Sequence, residues 1–403
     1  MSKWTRNITA VSALCATIPL NAFAQDAGRI EVGQFDLVPI FNSSLSYVDN
    51  VSRVADGEPK IFSWRSTISP EIIAATEISG NPIQFGYRLK RGVYFSSSND
   101  DYTDHFLEAS TEIDINSRNR FDLLAQYEDG HEDRGSGFSI GLGQNLTTPD
   151  TYKSSFVGIN YEFGSLTSNA GLEFKANRST LEYDRTENQY LIRNRATNVI
   201  GAEFSYDISP SASFLLDLTR SSINYDEQLL LDPLDSDETR FLAGFRWENT
   251  AATTGYAKVG YKEKEFDAQA RDTFHGTDWE VGVEWQPLTY STFDFSTSAT
   301  TNETNGEGSL IRSRLYRASW THNWLERLST SFGVSVIDDE YILDGSDLAN
   351  RSDDITRYNA SLNYSARRWL SFSIFYNVNK RDSNREAIGY DQNIVGVSAE
   401  VTL

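Results

Sequence analysis

The sequence predicts an all-β protein: a transmembrane antiparallel up-and-down β-barrel of about 18 strands with a polar lumen. Three observations predict it. An export signal opens the chain, period-2 alternation recurs through residues 38–403, and short turns take turns with longer polar links all the way along.

Residues 1–24 have the three parts of a secretory signal: Lys3 and Arg6, the apolar stretch Ile8 to Leu20, and Ala22-Phe23-Ala24 before Gln25. Cleavage after Ala24 is expected. Cys15 raises a lipoprotein signal as the competitor, but Ser12 stands where a lipobox wants Leu and Leu14 where it wants a small residue. The expected organisation is a signal peptide over 1–24, a periplasmic N-terminal segment over 25–37 and an outer-membrane barrel over 38–403.

Once the signal is removed, no cysteine or methionine remains, so neither disulfides nor thiolate metal sites hold the fold. The formal charge of -21 falls to -23 on losing Lys3 and Arg6, which argues against nucleic acid as a partner. Mean hydropathy is -0.46 and no later segment reaches the roughly 18 apolar residues of a membrane helix. Barrel strands escape that test because their two faces average to neutral.

The alternation is explicit in several segments. Trp279, Val281, Val283 and Trp285 oppose Asp278, Glu280, Gly282 and Glu284; Phe241, Ala243, Phe245 and Trp247 oppose Arg240, Leu242, Gly244 and Arg246. Phe121, Leu123, Ala125 and Tyr127 oppose Asp122, Gln126 and Glu128, with Leu124 the exception, and Leu370 to Val378 repeats the pattern. One face suits lipid and the other water.

Short turns are expected near 77–81, 116–119, 164–165, 208–211, 249–252, 286–289, 323–326 and 366–369. Longer links are expected near 49–59, 95–101, 130–150, 181–189, 226–237, 267–273, 303–309, 342–353 and 382–389. Eight turns and nine links join eighteen strands, with turns on the periplasmic side and links outside. A propeller or solenoid would share the spacing of roughly forty residues, but their repeat signatures are missing.

A soluble β-sandwich is the main rival. Its apolar face would carry branched aliphatics, whereas here aromatics gather near strand ends, as at Tyr47, Tyr87, Tyr161, Tyr206, Tyr261, Trp285, Trp324, Tyr364 and Trp369. These suit interfacial girdles. Strand stretches of 10 to 15 residues also exceed the usual length of about 5–6.

A barrel of this size is too wide for side chains to fill, which makes a conduit the default. The polar face supplies the candidate lumen-lining residues, of both signs: Arg88, Lys90, Arg193, Arg195, Arg240, Arg246, Lys258, Lys262, Arg312, Arg314 and Arg357 against Glu108, Glu112, Glu203, Asp217, Asp278, Glu280, Glu284 and Asp294. Cross-strand pairing that merely solvates the wall is the plain reading; charge rings or polymer contacts are the sharper one, with Arg195, Arg312 and Arg314 the first to mutate.

Acidic clusters such as Asp100, Asp101 and Asp104, or Asp338, Asp339 and Glu340, suit solvated loops or divalent cations bridging lipopolysaccharide. The glycine-rich stretch 130–150 is long enough to fold inward as a constriction, while the alternation of Phe138, Ile140 and Leu142 equally suits an extended strand. No catalytic residues, metal site or cofactor are expected: the four histidines, His105, His131, His275 and His322, lie in different hairpins and outside any hydrolase motif. His322, within Trp320-Thr321-His322-Asn323-Trp324, belongs to the girdle.

Several stretches carry a family resemblance: Pro39-Ile40-Phe41, Leu45 to Val51, Arg351-Ser352-Asp353, Leu362-Asn363-Tyr364, Arg368-Trp369-Leu370, Phe375-Tyr376, Arg381 to Asn384, Tyr390 and Asn393. With the hairpin layout over nearly all of 38–403, the chain resembles the β-barrel porins found with exopolysaccharide and capsule biosynthesis genes. The resemblance implies export of a secreted polysaccharide through the outer membrane, with a periplasmic polysaccharide-export protein and an inner-membrane assembly system. The end Val401-Thr402-Leu403 departs from the terminal Phe usual in barrels, although Val395 to Leu403 keeps an apolar stripe suited to insertion.

Two functions from different classes remain: a polysaccharide export pore, or a general diffusion porin or structural surface barrel. Expected partners are outer-membrane lipid, lipopolysaccharide and the polysaccharide. Lacking an apolar patch outside the girdles, the chain is expected to be a monomer.

Overall fold

The computed structural model describes residues 29–165, 167–227, 232–250, 252–304, 306–343 and 350–402. The expected signal peptide, its Cys15 and its cleavage site lie outside the described residues.

Long alternating segments with few interior prolines are suited to strands, and the chain is almost wholly built of them. After the short β1 (Ile30–Val32) come β2 (Phe35–Val48), β3 (Ser63–Ile78), β4 (Asn81–Tyr94), β5 (Tyr102–Asn116), β6 (Asn119–Glu132) and β7 (Asp150–Phe163). Then follow β8 (Ala170–Tyr183), β9 (Arg195–Ser209), β10 (Ala212–Tyr225), β11 (Ser236–Thr250), β12 (Thr253–Phe266) and β13 (Phe274–Leu288). The last are β14 (Ser291–Asn302), β15 (Leu310–Leu325), β16 (Leu328–Ile342), β17 (Arg351–Arg367), β18 (Leu370–Ser383) and β19 (Tyr390–Thr402).

Each of β2 to β19 pairs antiparallel with its sequence neighbours, and β19 returns to β2 from Ile394↔Val48 to Thr402↔Ile40. The barrel is therefore closed with eighteen strands, and closure leaves no long edge unpaired. β1 pairs Ile30↔Leu37 and Val32↔Phe35, so it continues the seam on β2 beyond the end of β19.

All eight expected turns join hairpins. Three sit later than the sequence suggests: Thr289-Tyr290 rather than 286–289, Glu326-Arg327 rather than 323–326, and Arg368-Trp369 rather than 366–369. The girdle residues Trp324 and Leu325 remain inside β15, because keeping them in the ladder presents the indole outward while the turn contracts to two residues. Alternation marks a face well and a strand's final residue poorly.

Register is continuous around the wall, so every strand has one outward and one inward row. The outward row carries large apolar side chains open to the surroundings, with Val157 at 61 % and Ile200 at 62 % relative exposure. Such a continuous belt needs lipid to cover it. Tyr87, Tyr206, Tyr261, Trp285, Trp324 and Tyr364 lie on this outward face near its margins, as interfacial girdles require. His322 packs there among Tyr290, Trp320 and Trp324, with centroids 5.3, 5.4 and 4.2 Å away. No helix among the described residues is long and apolar enough to cross a membrane; the strands do the spanning.

Candidate functional site: the lumen and its mouth

Register assigns a side to each candidate. Arg88, Lys90, Glu108, Glu112, Arg195, Glu203, Asp217, Arg240, Arg246, Lys258, Lys262, Asp278, Glu280, Glu284, Asp294 and Arg357 occupy inward rows. Arg193 lies in the link before β9 rather than on the wall.

Arg312 and Arg314 do not face the lumen. On β15 they share the row of Tyr316, Ala318 and Trp320, and Ala299↔Arg314 and Arg314↔Asp338 put them on the outward side. There Arg314 binds Asp338 at 2.8 Å and Arg312 approaches Glu340 at 3.8 Å. The inward row is Ser313, Leu315, Arg317 and Ser319. Charge alone misplaces these arginines: at the link end of a strand the outward row leaves the hydrocarbon, and polar side chains return to it.

From β8 to β13 the inward charges form one network. Lys258 contacts Asp217 at 3.0 Å, Glu280 at 3.1 Å and Glu203 at 3.4 Å. Arg246 binds Glu203 at 2.9 Å, Arg240 binds Glu280 and reaches Asp217 at 3.7 Å, and Lys175 reaches Asp217 at 3.7 Å. Lys262 adds Asp278 at 3.0 Å and Glu238 at 3.5 Å. Leu215 and Leu242 are buried on the inward face of this arc. The network is legible only across strands, since Lys258 opposes Glu280 in register while Asp217 arrives from β10, 41 residues away. Lys175 and Glu238 were not among the sequence candidates, and only register brings them in.

From β16 through β19 to β2 the middle of the wall is mostly Ser and Asn, with Arg357 opposite Ser335 carrying a charge among them. Inward rows here read Ser331 and Ser335, then Asn359, Ser361 and Asn363, then Ser371, Ser373, Asn377 and Asn379, with Ser398, Ser44 and Ser46 completing the arc. Hydroxyls and amides both donate and accept hydrogen bonds without fixing a charge. Asn363 links Ser361 and Ser373 at 3.2 and 2.7 Å.

Several links converge over the mouth. The 133–149 link forms a 3₁₀ turn at Gly137–Ser139 instead of extending a strand. Its base is clamped by Arg53 to Asp133 at 2.8 Å, and by Arg134 to Asp100 through nitrogens at 2.6 and 2.5 Å. Burial alone would raise the Asp133 carboxyl, but Arg53 and His131 more than reverse that and hold it well below the usual carboxylate range. Further out, Phe138 meets Tyr190 edge-on at 4.8 Å and lies under the Arg193 guanidinium at 3.4 Å. Burial lowers Arg193 to about 10, and it remains a cation at neutral pH.

A Cβ on Gly306, from the link between β14 and β15, would collide with that guanidinium, so the chain passes closely over it. Glu307 beside it binds Arg351 at 3.3 Å and also Arg385. Gly141 packs on Ile388 of the last link. No group of three or more His, Asp or Glu side chains that could hold a metal ion occurs among the described residues.

A closed eighteen-stranded barrel with a lipid-facing belt and a polar interior defines an integral outer-membrane β-barrel of the porin type. The chain belongs to the family described as Putative beta-barrel porin 2, whose model matches residues 24–403. No curated protein matches the sequence.

Among solved structures, the chain is similar to OpdL of Pseudomonas aeruginosa at 10 % identity, covering 92 % of this chain and 100 % of that one with a TM-score of 0.48. It is similar to OpdK of the same organism, solved with vanillate, at 11 % identity, 91 % and 99 % coverage and a TM-score of 0.49. A further likeness is to OccAB4 of Acinetobacter baumannii, at 13 % identity, 94 % and 100 % coverage and a TM-score of 0.46. These likenesses concern the barrel alone.

Proposed function

We propose that this barrel is an outer-membrane conduit for export of a secreted exopolysaccharide or capsular polysaccharide, acting as a monomer with a periplasmic polysaccharide-export partner. The observation that carries this reading is the Ser/Asn-rich arc of the lumen, running from β16 to β2, where Arg357 and Glu400 are sparse charges among hydroxyls and amides. A polyhydroxylated chain sliding through needs many weak, interchangeable hydrogen bonds and no site tight enough to hold it. The ion-paired arc opposite offers carboxylates and cations already satisfied by one another, which limits sticking there.

A general diffusion porin is the second reading, favoured by the family description and by the mutual neutralisation of the charged arc, which needs no particular cargo. Deletion of the gene separates them. Under the export reading secreted polysaccharide falls and polymer accumulates in the periplasm; unchanged pools with reduced uptake of small solutes would leave the diffusion porin standing.

A further inference from the structure

An export conduit has to be open where cargo leaves, yet the links of this barrel meet across its mouth. Phe138 follows β6 and Arg193 precedes β9, in neighbouring links, while Gly306 precedes β15 from a distant part of the closed strand order, so the Phe138–Arg193–Gly306 contact reaches across the mouth through Gly306. The Gly141–Ile388 contact joins the same 133–149 link to the one before β19. Chain segments tied in this way lie over the lumen rather than beside it.

We propose that the 133–149 link is a gate hinged at its Arg53–Asp133 and Arg134–Asp100 clamps, and that it opens by releasing Phe138 from Arg193. This rests on the conduit reading and adds a closed state to it.

The two ends of the link differ in the way a gate needs. At the base, Arg134 makes two charge-assisted bonds to one buried carboxylate, and its third nitrogen binds the carbonyl of Leu146 at 3.0 Å. That end resists separation. At the far end Phe138 N–H donates to the Glu132 carboxylate at the foot of its own link at 3.0 Å, while its ring meets the other link through a guanidinium over the phenyl face and an edge-on aromatic pair. Ring contacts of this kind favour one arrangement by on the order of tenfold, which keeps an open minor state within reach of thermal motion. Gly135 and Gly141, at φ +77° and +76°, set the path of the link between the two ends in a region side chains disfavour.

The geometry also supplies a lock. A Cβ on Gly141 would sit 3.8 Å from the Cα of Ile388, so a cysteine pair there is close enough to crosslink at a cost in strain from the positive φ of Gly141, and residues 25–403 contain no other cysteine. The test is conductance of the purified full-length mature barrel in planar lipid bilayers in potassium chloride. Wild type should dwell in a low-conductance level with brief wide openings. Arg193→Ala and, separately, Phe138→Ala should raise the open fraction by about tenfold. Gly141→Cys/Ile388→Cys should abolish openings when oxidised and regain them on reduction.

A wild-type barrel that is steadily wide open, or openings indifferent to Arg193→Ala, to Phe138→Ala and to the crosslink, would overturn the gate. If neither wild type nor any variant conducts, gate and conduit fall together. Gated conductance combined with unchanged polymer pools on deletion would overturn only the polysaccharide cargo.

Discussion

Across the lumen, the arc from β8 to β13 and the arc from β16 to β2 solve the problem of a polar interior by different means. The first sets Lys258 among three carboxylates within 3.4 Å, with Asp217 and Asp278 almost fully buried. The second sets Ser331, Asn359, Ser361, Ser373 and Asn377 side by side. A buried ionic network is stiff, since moving one member strands the others without water. A hydroxyl and amide surface is forgiving, since each group finds water when its neighbour is removed. The contrast separates a wall that supports the barrel from a wall that is free to meet cargo.

The largest effect should come from the ionic arc. Lys258→Ala removes the cation shared by Asp217, Glu203 and Glu280, leaving them only Lys175, Arg240 and Arg246, and should cost about 3–5 kcal/mol of unfolding free energy, read from urea titration of the folded barrel. A loss below about 1 kcal/mol would mean that water already solvates this arc and the contrast is weaker than drawn.

Next comes the clamp at the base of the 133–149 link. Asp133→Asn should cost about 1.5–3 kcal/mol, because Arg53 loses a charge-assisted partner. The folded carboxyl of Asp133 is depressed, so its contribution is complete above the ordinary carboxylate pKa near 4 and is lost as pH falls through the lower folded value. The low-conductance level should accordingly persist from pH 7 to about 4 and give way only in stronger acid. Bilayer recordings at stepped pH that showed opening between pH 7 and 5 would assign the clamp to another group.

In the Ser/Asn arc, Ser361→Ala should change stability by no more than about 0.5 kcal/mol. Ser361→Arg should instead shift the reversal potential in a salt gradient toward anions, because its charge lacks a prepared partner. An unchanged reversal potential would place the ion path elsewhere. The smallest effect belongs to Arg314→Ala: an outward, partly exposed pair with Asp338 is worth about 0–1 kcal/mol, and lumen conductance should not move.

Much of the architecture is legible in the sequence because a strand's two faces are written at alternate positions. Trp279 to Trp285 and Phe241 to Trp247 announce their outward rows, and eight turns with nine links yield the eighteen-stranded closure. Lumen residues are legible wherever that alternation is clean, as for Arg240, Arg246, Lys258 and Glu280. It fails at Arg312 and Arg314, where the outward row climbs out of the apolar belt and a charge no longer signals the lumen. The inward fold of the 133–149 link also stays open in the sequence, since Phe138, Ile140 and Leu142 alternate as a strand would.

By itself, then, the sequence determined the class of fold, the number of strands and the faces of most of them, because hydrogen-bonded backbone and a lipid surround leave alternation as the one consistent pattern. Only the tertiary structure decided which charges meet and what covers the mouth. Asp217 reaches Lys258 from 41 residues away, Phe138 reaches Arg193 from another hairpin, and Gly306 passes over both from the far side. Those meetings depend on register and on barrel closure, which bring together residues that no local pattern in the chain connects.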